Sequence, residues 1–463
     1  MEKLFQNLKK FKNKIALVGI DGKKYSYSEI LNKSKYLNSK IKNNSLILII
    51  ASNNVNSIIG YVSFVKSENT SILLDKSFKL EYFFKIIKKY KPNYIFCPKE
   101  YLTKINQIRE IARIGDYCLI KTNFKKNGKI NKKNLLLLST SGTTQSPKFV
   151  RLSGNNLLSN TKSIIKYLKI ESSHTTITTM PMGYSYGLSI INTHLFSGSK
   201  IIITDKSVFD KEFWNVLQKY KITSFGGVPQ FYEQLKKLRF ESFNLSNLKY
   251  ITQAGGKLDL NYLKYFEKVS KKKRIKFITM YGQAEASPRM SYLPWNKFSK
   301  KMGSIGKPLN GSKFEIINNK GKYITNTFTV GELVYFGKNV SLGYARSLKD
   351  LKKGDENKGR LFTGDLAYKD DDNFFYIAGR KKRISKIFGI RVDLDDIERK
   401  LKNNKYNIKC VPDNRHLKIL IVKNYNTENM KRIIYDFYGI NKNFILISKV
   451  RKFDNTNTFK QLS

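Results

Sequence analysis

The sequence predicts an α/β protein with a large N-terminal domain of doubly wound sheets, a β-rich subdomain that closes it, and a small α+β C-terminal domain. Three observations carry this. Short apolar β-rich runs alternate with lysine-rich amphipathic stretches as far as Met280, the signature of βα units around parallel strands. From Gly311 to about Arg346 the alternation gives way to strands and turns without clear helices. The 463 residues also exceed the size at which one core keeps growing, so two or more domains are expected.

In chain order, residues 1–11 are basic, with apolar positions at helical spacing but no continuous apolar core. They read as a first helix packed on its own domain, with contact to a membrane surface as the alternative, and not as a secretory signal. Alternation follows at 45–51, 55–66, 71–74, 80–90 and 94–97. It resumes at 201–204, 213–221, 224–228, 230–239, 250–253 and 275–280. A strand at 374–378 runs into the charged turn Gly379-Arg380-Lys381-Lys382-Arg383. That turn sets the expected boundary: an N-terminal domain of residues 1–380, β-rich over about 311–380, and a C-terminal domain of residues 381–463.

Composition excludes several classes. The strongest apolar run near the N-terminus, 46–51, falls far short of the ~20 residues needed to span a bilayer, so a cytoplasmic protein without stable membrane insertion is expected. Cys97, Cys118 and Cys410 are scattered without a C-x-x-C pair, as in a reducing compartment. His174, His194 and His416 are isolated, which argues against a metal cluster. Lysine and arginine number 87 against 35 acidic residues, a net charge of +52. Such a balance suggests nucleic acid or an anionic surface. Yet the lysines are spread through Asn, Ile, Phe and Tyr with no basic tail and no nucleic-acid module, so a diffuse solvated surface and no nucleic-acid partner are expected. A basic face for an acidic carrier protein or for CoA is the functional alternative.

The densest chemistry lies at residues 139–148, Ser-Thr-Ser-Gly-Thr-Thr-Gln-Ser-Pro-Lys, after an apolar run that reads as a buried strand. Hydroxyls, a flexible glycine and the Lys148 cation in one turn suit a polyphosphate. The spacing does not match G-x-x-x-x-G-K-[ST], so this is not the phosphate loop of kinase-like or GTPase-like proteins. Further along stand Tyr281-Gly-Gln-Ala-Glu285, Gly331-Glu-Leu, Gly343-Tyr344, Thr363-Gly-Asp365, Gly379-Arg380, Gly389-Ile-Arg391 with Asp396-Ile-Glu398, and finally Lys460. In this order and spacing the chain resembles, nearly end to end, the adenylate-forming enzymes: acyl-CoA synthetases, nonribosomal peptide synthetase adenylation domains and luciferases.

The resemblance implies an AMP-forming acid–thiol ligase that uses ATP and Mg²⁺, with CoA or phosphopantetheine as acceptor and a small carboxylic acid as substrate. The C-terminal domain becomes a mobile lid. Thr140, Ser141, Gly142, Thr143, Thr144 and Lys148 would hold the β- and γ-phosphates, and Glu285 would carry Mg²⁺. Gly255, Gly256 and Tyr281 would meet adenine, Asp365 the ribose hydroxyls, and Arg380 would support the ribose. Lys382 would be the hinge, Lys460 the mobile catalytic cation, and Gly389 would line the thiol channel. Pro181 to Leu188 resembles the family's acyl-pocket segment and makes Tyr184, Tyr186 and Gly187 pocket residues. No acidic residue lies in that segment, so a neutral or hydroxylated acid is expected over an α-amino acid. Arg289 would either meet a polar or second acidic group or be structural.

Four positions depart from the family pattern: Gln145 and Phe149 for glycine, Ala284 for threonine, and Phe459 for glycine. They keep open a member that binds a nucleotide or protein without catalysis. A basic nucleic-acid-binding protein is the weaker alternative.

Overall fold

The computed structural model describes residues 3–67, 69–105, 109–124, 130–139, 148–381, 384–387, 390–411, 413 and 415–450, and the chain divides between Gly379 and Arg380 into two compact units.

The first unit contains two large sheets. One has the spatial order Tyr344–Ala345, Phe149–Leu152, Leu136–Ser139, Thr70–Asp75, Leu46–Ala51, Tyr94–Pro98, Tyr117–Lys121, Arg109–Ile114. Its central strands are parallel and buried along their whole length, as strands covered on both faces must be. Period-two geometry divides the apolar run 46–51 between two cores. Ile47, Ile49 and Ala51 pack with Ile58 and Ile59 of the helix Val55–Lys66. Leu46, Leu48 and Ile50 pack with Phe83 and Ile86 of the helix Leu80–Tyr90. The Asn54 side chain caps the first of these helices by accepting from Asn56 N at 2.7 Å.

The second large sheet runs Lys307–Pro308, Arg289–Tyr292, Lys276–Gly282, Tyr250–Gln253, Ser224–Gly227, Thr175–Ile177, Lys200–Ile202, Ile15–Val18, Lys24–Ser26. It is parallel from Lys276–Gly282 through Ile15–Val18 and antiparallel at both edges. Ile177, Ile202, Phe225, Ile251 and Phe277 join one core with the helices Lys211–Lys219, Pro229–Lys237 and Leu260–Lys273. A third, antiparallel sheet comprises Lys313–Ile317, Gly331–Phe336, Arg360–Lys369 and Phe375–Arg380.

The segment expected as a first helix is a 3-10 helix, Gln6–Phe11. Its apolar residues Phe5 and Leu8 are buried, with Phe5 edge-on to Tyr61 at 5.9 Å, so packing sets its place rather than helical propensity. Within the stretch read as one β-rich block, Tyr344–Ala345 instead leaves to pair antiparallel with Val150 and Phe149 of the first sheet. Phe149, grouped from sequence with Gln145 as a departure from glycine next to the phosphate loop, lies on a strand: its ring is fully buried and meets Tyr90 edge-on at 5.3 Å. It is a core residue, so that expectation is corrected. Cys97 and Cys118, far apart in sequence, stand opposite one another on neighbouring antiparallel strands as free buried thiols.

The second unit packs the helices Leu394–Asn403 and Thr427–Tyr438 with the sheet Ile408–Val411, Leu417–Ile421, Ile445–Lys449 around a core that includes Leu394, Ile397, Leu417, Met430 and Ile434. A hairpin, Ile384–Ile387 with Ile390–Asp393, adjoins the first helix in sequence. Among the described residues no helix is long and apolar enough to cross a membrane.

Candidate active site

The strand Lys276–Gly282 runs into a short 3-10 turn, Ala284–Ala286, and this strand end touches two buried carboxylates. Asp365 is one of them. Its Oδ2 accepts from the Tyr281 hydroxyl and from Gln283 Nε2 at 2.9 Å, while the same amide also donates to the Thr363 carbonyl at 3.0 Å. Thr363 Oγ1 donates to Leu333 O and accepts from Asp365 N, which fixes the Thr-Gly-Asp segment of the strand Arg360–Lys369 onto the neighbouring strand, at an irregularity in their register. Every donor named here is supplied by a strand or by a turn tied to one, so the carboxylate is held in place before any ligand arrives.

Glu285 is the second carboxylate, only 6% exposed. Its Oε1 accepts from the Tyr344 hydroxyl at 2.8 Å, and its Oε2 is buried with no hydrogen-bond partner among the described residues. An unpaired buried carboxylate oxygen is costly, about 1–3 kcal/mol or more, unless a cation or donor completes it. The Lys148 ammonium lies 3.4 Å from the centroid of the Tyr344 ring, so the Tyr344 side chain links it to Glu285.

Tyr344 is held in turn by a residue that sequence reasoning missed. Arg151 is fully buried; its Nε donates to the Tyr344 carbonyl at 3.2 Å, Nη1 to Lys353 O, and Nη2 to Leu342 O, Gly354 O and Glu356 Oε2. Gly343 sits at φ +117° in contact range of this group, where a side chain would strike Glu356 and Arg151. The backbone around Glu285 has a similar brace. Asn339 Nδ2 donates to the carbonyls of Ala286 and Arg289, and Ser341 N donates to Glu285 O.

The remaining sequence-derived residues fall as follows. Ser139 faces Phe149 in register, so Lys148 enters at the neighbouring strand beside the end of the apolar run. Gly255 takes a positive φ of 85° and Gly256 O accepts from Gln253 Nε2 at 2.8 Å, which makes a tight turn after the strand Tyr250–Gln253. Tyr184 precedes the helix Ser185–Phe196, and Gly187 is required there because a Cβ would run into the carbonyls of Met180 and Pro181. Tyr186 is buried, with its hydroxyl donating to Thr252 O at 2.8 Å. Although residues 181–188 contain no acid, the Asp75 carboxylate lies against Gly183, with Oδ1 accepting from Ser77 N and Oγ. Arg380 ends the strand Phe375–Arg380. Thr140, Ser141, Gly142, Thr143, Thr144, Gln145, Lys382, Gly389, Phe459 and Lys460 lie outside the described residues.

A small cavity of about 20 Å³ is lined in part by His194, Tyr250 and Arg289. Burial pushes the His194 imidazole down to about 4, helped by His174 and opposed by the hydrogen bond to the Ile190 carbonyl at 2.8 Å, so it is neutral at pH 7. In the unfolded chain the imidazole titrates near 6.5, and the native state loses stability as pH falls from about 6.5 towards 4. The expected loss is about 3 kcal/mol, and His194→Gln should flatten that part of the profile in denaturant unfolding measured at successive pH values.

The sequence profile described as AMP-binding enzyme matches residues 4–345. The chain is 30% identical over 272 residues to a long-chain-fatty-acid–CoA ligase of Bacillus subtilis, covering 58% of this chain and 47% of that protein. It is 28% identical over 268 residues to a luciferin 4-monooxygenase of Luciola mingrelica, covering 57% and 48%. The match thus spans about half the length of these curated relatives. Among solved structures, the o-succinylbenzoate CoA synthetase of Bacillus subtilis bound to a product analogue superposes with a TM-score of 0.77 at 18% identity, over 99% of this chain and 96% of that one. An amide bond synthetase of Marinactinospora thermotolerans superposes with a TM-score of 0.80 at 15% identity, over 98% and 97%. These last two are likenesses of fold. With the profile covering well over half of the sequence, the chain belongs to the AMP-binding family of adenylate-forming enzymes.

Proposed function

We propose that the protein activates a small carboxylic acid with ATP as an acyl adenylate and passes the acyl group to a thiol, that of CoA or of a carrier protein's phosphopantetheine. In the first half-reaction a carboxylate oxygen attacks the α-phosphorus, the bond to the bridging oxygen breaks and pyrophosphate leaves. In the second, the thiol sulfur attacks the acyl carbonyl, AMP leaves, and the thiol proton passes to solvent. The observation that carries this reading is the strand end Tyr281–Glu285 joined to two buried carboxylates, one held by two donors on a single oxygen and one with an oxygen that has no hydrogen-bond partner among the described residues.

The two carboxylates suit different partners. Asp365, braced by Tyr281 and Gln283, would accept ribose hydroxyls, with the Tyr281 ring against adenine, Gly255 and Gly256 allowing close approach, and Arg380 supporting the ribose. Glu285 fits Mg²⁺, since a hard cation wants carboxylate oxygen and Oε2 has no other partner among the described residues. When bound, that ion supplies Lewis-acid neutralisation of phosphate charge. Lys148, steered by the Tyr344 ring, adds a charge-assisted contact, and the residues from Thr140 to Thr144 complete the phosphate cradle. Lys460 is assigned the transition-state cation of the first half-reaction, Lys382 the hinge of a mobile C-terminal lid, and Gly389 the thiol channel. Tyr184, Tyr186 and Gly187 shape the acyl pocket. A cytoplasmic setting suits these substrates.

CoA is preferred as the acceptor because matched relatives carry the name CoA ligase. Transfer to free CoA should proceed without preference for a holo-carrier protein. A rate that collapses between low and physiological salt, where the Debye length is about 8 Å, with adenylation unaffected, would assign the +52 surface to an acidic carrier instead. The reading as a whole is tested by acid-dependent pyrophosphate release across a panel of carboxylic acids. Nucleotide binding without release from any acid would mark a family member that binds but does not catalyse.

A further inference from the structure

The acyl-pocket segment leads to a cation with no counter-charge among the described residues. Arg289 sits on the strand Arg289–Tyr292, in register with Gly282 and four residues after Glu285, and is only 4% exposed. Its guanidinium lies 4.1 Å from the centre of the Tyr186 ring, its Nε meets Met280 Sδ at 3.3 Å, and the Tyr167 hydroxyl is beside it. No acidic side chain among the described residues pairs with it. A buried guanidinium without an anion carries a desolvation penalty of several kcal/mol, which stacking on tyrosine offsets only in part.

A second, independent group points into the same space. Tyr250 is 4% exposed and its hydroxyl is buried without a well-formed hydrogen bond, Ser224 being its neighbour. Arg289, Tyr250 and Ser224 line one cavity whose walls are otherwise largely apolar, including Ile164, Ile190 and Phe225. His194 also lines it and is neutral, so it adds no competing charge. The cavity therefore offers a fixed cation and an unused hydroxyl in dry surroundings. At about 20 Å³ it admits a terminal group of a few atoms rather than a ring.

We propose that this cavity is the end of the acyl pocket and that Arg289 and Tyr250 there bind a second carboxylate of the substrate, so that the acid activated is a dicarboxylic acid. The proposal rests on the adenylation reading and narrows its substrate class. It replaces the expectation of a neutral or hydroxylated acid, which considered only residues 181–188. Arg289 would act as a specificity residue: its guanidinium pairs with the non-reacting carboxylate, and loss of that carboxylate leaves both Arg289 and Tyr250 unpaired, the arrangement that gives strong discrimination.

The test compares linear diacids from malonate to suberate, together with isophthalate and terephthalate, against their monomethyl esters. Acid-dependent pyrophosphate release by the wild-type protein should favour at least one diacid over its half-ester by about a hundredfold. In Arg289→Met that ratio should fall to about threefold or less, through loss of the diacid rate with the half-ester rate unchanged or higher. Tyr250→Phe, which removes only the unpaired hydroxyl, should cost about tenfold for the diacid and nothing for the half-ester. It carries the comparison if Arg289→Met does not fold. A parallel measurement without ATP asks whether the best diacid raises the thermal midpoint of the wild type but not of the variants. Half-esters used as well as diacids, or variants with unaltered preference, would overturn the proposal. Equal loss of both substrates would also overturn it, because Arg289 would then serve the reacting carboxylate. If no acid of either kind releases pyrophosphate, the adenylation reading fails, and the thermal shift alone decides whether Arg289 is a dicarboxylate site.

Discussion

Glu285→Gln should lower acid-dependent pyrophosphate release by about a hundred- to a thousandfold, with the thermal midpoint of the metal-free protein unchanged or higher. Removing one fixed electrostatic group from a dry active site has an effect of this size. The substitution keeps a carbonyl oxygen for the Tyr344 hydroxyl, which now donates to Oε1 at 2.8 Å, so the local packing is preserved. What changes is the charge at Oε2, an atom buried without a partner among the described residues. A group that destabilises the empty protein and is kept only for a ligand should show opposite signs in stability and activity. Raising the Mg²⁺ concentration should recover part of the rate in Glu285→Gln. A variant that stays fully active, or that unfolds, would show that Glu285 braces Tyr344 and does nothing more.

Asp365→Ala is expected to weaken ATP binding about a hundredfold, measured by calorimetry without any acid present. Two hydrogen bonds to a buried carboxylate are worth about 1.5–3 kcal/mol each, somewhat more than the roughly 2.7 kcal/mol of a hundredfold change, and water entering the emptied site offsets the difference. Part of the loss comes from the residues left behind, because Tyr281 and Gln283 both donate to Oδ2 and would turn elsewhere. Asp365→Asn keeps the shape and one acceptor, so about tenfold is expected there. Gln283→Leu should reproduce a fraction of the effect by freeing the carboxylate to rotate. ATP affinity unchanged in Asp365→Ala would remove the ribose assignment, since no other role for this side chain depends on nucleotide.

The parts of this protein legible in its sequence are those fixed by local pattern. The run at 46–51 reads as a strand of a parallel sheet because all its positions are apolar, and the strand Leu46–Ala51 is buried at every position. Tyr281, Gln283 and Glu285 lie within one motif, so their proximity follows from chain continuity. What the sequence hides is pairing at long range. Arg151 belongs to none of the quoted motifs, yet all but one of its acceptors lie between Leu342 and Glu356, about two hundred residues away. Tyr344 belongs to a quoted Gly-Tyr pair, but only the pairing of Tyr344–Ala345 with the first sheet brings its hydroxyl to Glu285 and its ring under Lys148. Phe149 misleads for the converse reason: it adjoins a polar turn in sequence while its ring fills a core. Arg289 shows the same limit, because whether an arginine is structural depends on the absence of a counter-charge that no motif records.

The measurement that most directly tests the central claim is isotope transfer from the acid. With the best substrate of the carboxylic acid panel labelled at both carboxylate oxygens with ¹⁸O, one turnover in the presence of ATP, Mg²⁺ and CoA should place one ¹⁸O in AMP and none in pyrophosphate, because the carboxylate oxygen itself becomes bonded to the α-phosphorus. Unlabelled AMP, label in inorganic phosphate with ADP as the nucleotide product, or no acid-dependent nucleotide cleavage with any member of the panel would contradict it.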